Sequence, residues 1–327
     1  MRKTNLDLRQ LEVIAKRCNQ IVRGLIDRAW EYGIAVHTLP CGATLVDMGI
    51  NVSGSFEAGL RLIEICHGGL ATASLGLIDL GGFLLPQVTV ESFHPTLSTY
   101  GLQASYPLSE DKPEIRVSGP LRLHLDRTVM LERPAGIAVI ECDSLPDDAI
   151  ALRLAEQSGL PPRSLTLITV PGRSVAGATQ IAGRVNESVI FTLEESLKVD
   201  SHKVKHMIGQ APVCPVSQAD RSAKRRPYPD DFIHYAGEVL LTLLASPEDD
   251  LDRLAHQLTF ESTSIYGALF HDLLAAADGT FEKIPDLIHI NKPARVTIQD
   301  LSTERVAHAG RPDIVRLVDL LGEESVR

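Results

Sequence analysis

GIAVIECDSLPDDAIALRLAEQSGLPPRSLTLITVPGRSVAGATQIAGRVNESVIF, residues 136–191, is the stretch that decides the fold class. Gly136–Cys142 is an almost unbroken apolar run, the pattern of a strand buried on both faces. A turn at Leu145-Pro146 leads to Asp147–Ser158, which reads as a helix. Pro161-Pro162 precedes a second buried strand, Leu165–Val170. The turn Pro171-Gly172-Arg173 follows, with Ser174 placed to cap another helix through its hydroxyl. Strand, helix, strand, helix is an α/β order, and no long linker interrupts it.

The last helix carries two stripes. Ala178, Ile181, Val185, Val189 and Leu193 recur at helical spacing and predict a buried face. Gly177, Gln180, Arg184 and Glu187 form a second stripe, which makes Arg184 and Glu187 neighbours at i, i+3. Gly177 and Gly183 each cost a helix roughly 1 kcal/mol against Ala. Close approach of a ligand or another backbone is a reason to tolerate them. By spacing alone the charged pair also reads as an ordinary surface ion pair, worth a few tenths of a kcal/mol.

Outward from this stretch the pattern stays mixed. Leu8, Leu11, Ile14, Cys18, Ile21, Leu25 and Ala29 predict an amphipathic helix capped by Asn5 or Asp7 and ended by Gly33. Ala35–Leu39 and Ala43–Met48 read as a hairpin, and Ser55 as the cap of a helix over Phe56–Cys66. Strands are expected near Leu75–Leu80, Leu84–Val90 and Ile115–Val117. Helices are expected near Phe232–Ala245 and Thr263–Ala277, a strand at Arg295–Gln299, and a basic loop over Ser222–Asp231. A boundary within Pro107–Pro134 divides the chain into residues 1–125 and 126–327.

The chain has 327 residues, room for about two domains. Its net charge of −10 argues against nucleic acid as partner, because phosphate contacts need clustered Lys and Arg. No apolar run reaches the ~20 residues of a membrane helix, and Met1–Asn5 leads into no apolar signal core. A cytoplasmic protein is expected. Five cysteines without a CxxC pair argue against a disulfide framework and a structural zinc site. There is no P-loop, dinucleotide fingerprint, nucleophile elbow or H-E-x-x-H. His202 and His206, at i, i+4, are a weak metal pair and read more readily as solvated surface.

Gln180-Ile-Ala-Gly-Arg-Val-Asn-Glu187 resembles the signature of the methenyltetrahydromethanopterin cyclohydrolase family. Asp47-Met-Gly-Ile-Asn-Val-Ser-Gly-Ser-Phe-Glu-Ala-Gly59, Ile65-Cys-His-Gly-Gly-Leu70 and Glu141-Cys-Asp-Ser-Leu-Pro-Asp147 are similar to earlier blocks of that family. Gly209-Gln-Ala-Pro-Val-Cys-Pro-Val216, Asp231-Phe-Ile-His-Tyr-Ala-Gly237, Phe281-Glu-Lys-Ile-Pro-Asp286 and Asn291-Lys-Pro-Ala-Arg-Val-Thr-Ile298 are similar to later ones. The blocks keep the family's order over nearly the whole chain.

The resemblance implies an α+β fold of two α/β lobes with a pocket between them. It implies hydrolysis of the cyclic amidinium bridging N5 and N10 of a tetrahydropterin, with an N5-formyl product. The pterin is then the substrate, and no cofactor or metal is expected. Glu187 matches the family's catalytic glutamate and Arg184 its partner arginine. A neighbouring cation favours an ionised carboxylate and burial disfavours it. Gln180, Gln103, Ser118, Gly119, Asp231 and Tyr235 are the expected substrate-binding residues, and Ser118, Gly119 and Asp231 are expected to line a cleft with the catalytic pair. A homo-oligomer, commonly a trimer, is also implied.

The departures from the family cluster in one place. Members carry Asp-His-Pro, Cys-Leu-Gly-Ser-Gln and Ala-Gly-Trp where this chain has Phe93-His-Pro95, Thr99-Tyr-Gly-Leu-Gln103 and Ala104-Ser105-Tyr106. The family's Gly-Ser-Gly-Pro-Ala-Arg loop is here Val117-Ser-Gly-Pro-Leu-Arg122. Three outcomes fit an intact catalytic segment beside an altered wall: a divergent cyclohydrolase, a paralogue acting on another cyclic amidine or N-formyl compound, or a non-catalytic pterin-binding protein.

Overall fold

Ile137–Glu141 and Thr166–Val170 lie side by side, parallel, in a computed structural model that describes residues 8–109, 112–125, 134–217, 227–284 and 290–325. In chain order the strands are β1 (Ala35–Thr38), β2 (Thr44–Asp47), β3 (Ala71–Leu80), β4 (Phe83–Phe93), β5 (Tyr106–Ser109), β6 (Lys112–Ser118), β7 (Ile137–Glu141), β8 (Thr166–Val170), β9 (Val204–Pro212), β10 (Glu238–Leu243), β11 (Arg295–Asp300) and β12 (Val306–Gly310). The helices are α1 (Leu8–Asp27), α2 (Ala29–Tyr32), α3 (Phe56–Cys66), α4 (Arg122–Leu125), α5 (Asp148–Ser158), α6 (Val175–Ala182), α7 (Glu187–Phe191), α8 (Pro229–Ala236), α9 (Leu251–Gln257), α10 (Phe270–Ala276) and α11 (Ile314–Ser325). Thr96–Gln103 and Thr192–Leu197 are π-helical. The fold is α+β.

Contacts group the chain into two units, residues 1–72 with 101–180 and residues 73–100 with 181–327. A single boundary near residue 125 was the sequence expectation. The grouping instead changes at the start of β3, inside the first π segment and inside α6, where no loop signal marks the sequence.

The first unit is built on a mixed sheet of order β1-β2-β8-β7-β6-β5. Its central strands β2, β8 and β7 run parallel, and β7 and β8 are buried along nearly their whole length, as their apolar runs required. Leu45, Val117, Ile140 and Leu167 form a core with Ala151 and Leu154 of α5. The caps expected at Ser55 and Ser174 are present, and Asp147, read as the first residue of its helix, caps it instead. Ser55 Oγ accepts from Ala58 N (3.1 Å), an Asp147 carboxylate oxygen from Ile150 N (3.2 Å), and Ser174 Oγ from Gly177 N (3.0 Å). Such caps contribute about 1 kcal/mol each. The Asn5 and Asp7 cap positions lie outside the described residues. α3 lies close on α6, since a Cβ on Gly59 would stand 2.5 Å from Thr179 Cβ.

The second unit has a sheet of order β12-β11-β10-β9-β4-β3. Only β10 and β11 are shown parallel there; β9 pairs antiparallel with both β4 and β10. Phe232 and Tyr235 of α8, Phe260, Phe270 and Leu317 form its aromatic-rich core.

Three elements here differ from the pattern of the sequence. The helix expected over Phe232–Ala245 ends at Ala236, and Glu238–Leu243 is strand β10. The tail over residues 239–245, apolar except for Thr242, fits either period. Val239, Leu241 and Leu243 are buried in alternation, so the sheet decides. The helix expected over Thr263–Ala277 is α10 alone, because Gly267, at φ +96°, takes a left-handed turn. The loop expected over Ser222–Asp231 has residues 222–226 outside the described region, and Pro229 opens α8, a position where its missing N–H costs nothing.

Candidate active site

The segment after β8 does not run as one helix. α6 stops at Ala182, residues 183–186 form turns, and α7 restarts at Glu187. The apolar stripe survives the break: Ala178, Ile181, Val185, Val189 and Leu193 are all at most 5% exposed. Gly177 has a reason of the second kind expected. The carbonyl of Pro171 occupies the place of its Cβ, so the close neighbour is backbone.

Arg184 and Glu187 meet across these turns. Arg184 Nη1 donates to Glu187 Oε2 at 2.6 Å, and the two side chains are 10% and 17% exposed. A solvated surface pair would be far more open. An ion pair at this depth is less screened than a surface pair, and its geometry is fixed by what surrounds it. Arg184 N donates to Ile181 O (2.8 Å) and Glu187 N to Arg184 O (2.9 Å), the tight spacing of a turn.

The other expected residues fall into two sets, one in each unit. In the first unit, Gln180 Nε2 points at Cys66 Sγ (3.8 Å), and the same sulfur lies 3.7 Å from Ser118 Oγ. Gly119, at φ +92°, donates its N–H to Leu102 O (2.9 Å), which seats it beside buried Gln103. Gln180, Ser118, Gly119 and Gln103 are thus drawn together, with Cys66 as the bridge that sequence reasoning did not single out. Cys66 is fully buried. Its sequence signal was its place in the Ile65–Leu70 block.

In the second unit, Asp231 and Tyr235 lie on α8. Asp231 Oδ2 accepts from Tyr228 N (3.0 Å) and Oδ1 from Phe270 N (2.8 Å). Its carboxylate fastens the start of α8 to the start of α10. Tyr235 OH donates to Ala268 O (2.6 Å) beneath the Arg316 guanidinium, 4.8 Å from the ring centre; burial pushes the phenol up to about 12. Nearby His234 is fully buried, stacked on Phe260 at 4.0 Å, and burial pushes it down to about 3. Its Nε2 accepts from Asn291 N at 3.0 Å, so the neutral ring carries its proton on Nδ1.

The segment that departs from the family pattern is anchored in both units. His94 takes φ +51° and Thr99 Oγ1 donates to Pro95 O (2.7 Å), opening the π-helical turn. Tyr100 OH donates to Glu195, and its ring meets Phe191 at 5.7 Å, joining the two π-helical segments. Further on, Arg116 Nε donates to Ser105 Oγ (2.8 Å), and Arg122 donates to Ala104 O while lying 5.4 Å from the Tyr106 ring.

His202 and His206 do not form a pair. His202 Nδ1 is 3.0 Å from Asp200, whereas His206 lies on β9. Among the described residues Glu194, Asp200 and His202 bring ligand-type atoms within 4.8 Å of one another, but His202 and Asp200 are exposed and local hydrogen bonds account for the cluster. Among the described residues no helix is long and apolar enough to cross a membrane.

A shielded carboxylate tied to an arginine across a broken helix is an arrangement able to hold a general base. The pattern of the cyclohydrolase (MCH) family matches residues 13–319, and the chain belongs to that family. It is 34% identical over 306 residues to the methenyltetrahydromethanopterin cyclohydrolase of Methanococcus maripaludis, covering 90% of this chain and 93% of that protein. It is 31% identical over 320 residues to the protein so named from Methanocaldococcus jannaschii (94% and 98%). The corresponding protein of Methanothermobacter marburgensis is 33% identical over 302 residues (89% and 93%).

Proposed function

We propose that this chain hydrolyses methenyl-tetrahydromethanopterin to 5-formyl-tetrahydromethanopterin in one-carbon metabolism. The observation that carries the proposal is the shielded Arg184–Glu187 pair at 2.6 Å, on the segment that resembles the family signature. The methenyl carbon is already electrophilic, flanked by two nitrogens that share a positive charge. Glu187 takes a proton from water as its oxygen adds to that carbon. Glu187 then returns the proton to N10 as the C–N10 bond breaks, and the added hydroxyl loses its own proton to leave the formyl group. Cation plus water gives formyl product plus one proton. General-base help of this kind contributes on the order of 10² to 10⁴ in rate. Arg184 holds the carboxylate in place. Gln180, Gln103, Ser118 and Gly119 are the proposed pterin-binding group of the first unit. Asp231 and Tyr235 are the corresponding residues of the second, with Asp231 acting through the helix starts it fastens. The chemistry asks for no metal or further cofactor.

A cytoplasmic homo-oligomer is the proposed setting. Buried Cys18, Cys66 and Cys214, none of them in a disulfide, suit a reducing compartment. Leu77 and Leu84, 67% and 65% exposed on adjoining strands β3 and β4, supply apolar surface for a second copy.

Purified protein mixed with methenyl-tetrahydromethanopterin is the test. Enzymatic loss of the methenyl chromophore supports the proposal. The altered Phe93–Tyr106 segment favours one second reading, a paralogue with a different cyclic amidine. Turnover of such a compound, with the methenyl chromophore untouched, would establish it instead.

A further inference from the structure

We infer that Asn186 and Ser188 are positioning residues that hold Glu187 from both sides. The inference rests on the proposed role of Glu187 as the base. Glu187 begins a short helix after a turn, so on its N-terminal side the backbone is held by one turn bond, from its own N–H to Arg184 O, and not by a helical ladder. Its two chain neighbours add side-chain anchors. Asn186 is fully buried, and its Nδ2 donates to Ser92 Oγ (2.9 Å) and Val90 O (3.2 Å) on β4. Ser188 Oγ donates to Asn291 O (2.5 Å), and Asn291 N donates in turn to His234 Nε2. The base therefore sits between fasteners that run to two different segments of the same unit. Asn291 itself has φ +65°, a conformation that surrounding bonds must maintain.

The chemistry of Asn186 is that of a directed clasp and not of packing. Among the described residues its Oδ1 has no hydrogen-bond partner, although the atom is buried. An apolar side chain of similar size would fill the space without leaving a buried acceptor unpaired. What such a side chain cannot supply is the pair of N–H bonds to β4. Gly209 on β9 completes the seat, because any Cβ there would meet Asn186 Oδ1 and stand 2.6 Å from Val185 Cγ1.

The test is a kinetic cycle on methenyl-tetrahydromethanopterin with Asn186→Ala, Ser92→Ala, Glu187→Gln and the double variant N186A/E187Q. Asn186→Ala is expected to lower kcat about tenfold or more with KM within about threefold, because a misplaced base weakens the transition state and leaves binding largely intact. Ser92→Ala, which removes one of the two bonds, lowers kcat less and in the same direction. In the Glu187→Gln background the added N186A change moves kcat by less than about twofold, since the clasp then has nothing to position. Should Asn186→Ala fail to fold, Ser92→Ala and Ser188→Ala carry the same cycle. Wild-type kcat in folded N186A, or a full independent loss in the Glu187→Gln background, overturns the positioning role alone. Wild-type turnover by Glu187→Gln overturns the assignment of the base, and the positioning role with it.

Discussion

Gly209→Ala should slow turnover by pressing on the catalytic segment from β9. The new Cβ would stand 2.6 Å from Val185 Cγ1 and 3.0 Å from Asn186 Cγ, with Asn186 Oδ1 closer still. Ordinary contact begins near 3.4 Å, so Val185 must retreat by about 0.8 Å, the difference between 3.4 and 2.6 Å, and Asn186 also moves. Neither has free space, since both are fully buried. Overpacking of this kind costs about 1–3 kcal/mol, several degrees in Tm. Glu187 is attached to Asn186, and a displacement near 1 Å of a catalytic group can cost about a hundredfold. The expected result is a kcat reduced roughly tenfold to hundredfold with KM little changed. Gly81→Ala is the control. It strains a left-handed turn at φ +60° and presses on Val318. It sits at the opposite end of β4, about 30 Å along the strand from Ser92 at ~3.3 Å per residue. It should lower Tm and leave kcat within about twofold. Stopped-flow decay of the methenyl chromophore and thermal melts on both variants decide the matter. Wild-type kcat in folded G209A would show that the Asn186 seat does not set the position of Glu187.

Other expectations follow from buried groups and from the chemistry. Burial holds the Lys292 ammonium down to about 8, with Gln257 O as its acceptor at 2.8 Å. Between pH 8 and about 10.4 the unfolded chain binds the proton that the folded chain has released, so stability from this group rises with pH, by at most about 3 kcal/mol. Denaturant unfolding at pH 7.5 and 9.5 should show that rise in wild type and a smaller one in Lys292→Met. His234 behaves in the opposite window. Neutral in the fold down to about pH 3 and charged when unfolded below about 6.5, it makes stability fall as pH drops through that range. His234→Gln should flatten that acid slope in pH-dependent melts. Strong chelation should leave turnover unchanged; loss of activity with removal of a stoichiometric metal would contradict the chemistry proposed here.

The parts of the fold that were legible are those set by local rules. Ser55 and Ser174 cap the helices they precede because capping depends on residues two or three positions apart. β7 and β8 were readable because both faces are buried and the whole run is apolar. β9 and β12 gave no comparable signal. β12, Val306–Gly310, is an edge strand with one large apolar residue, and that residue is 63% exposed. The Arg184–Glu187 pair was legible as a spacing and survives a helix break that the same periodicity did not show. The break depends on Asn186 reaching β4, more than ninety positions away in sequence, and on Gly209 leaving it room. Neither partner can be inferred from the turn itself.

The central claim is that Glu187 deprotonates the attacking water while Arg184 keeps it in its working position. Turnover of methenyl-tetrahydromethanopterin by Glu187→Gln, Arg184→Ala and the double variant tests it most directly, with folding checked by melts. The expected result is a kcat lowered about 10² or more by Glu187→Gln with binding largely kept, and a double-variant loss smaller than the product of the single losses. Near-wild-type kcat in folded Glu187→Gln protein would contradict it.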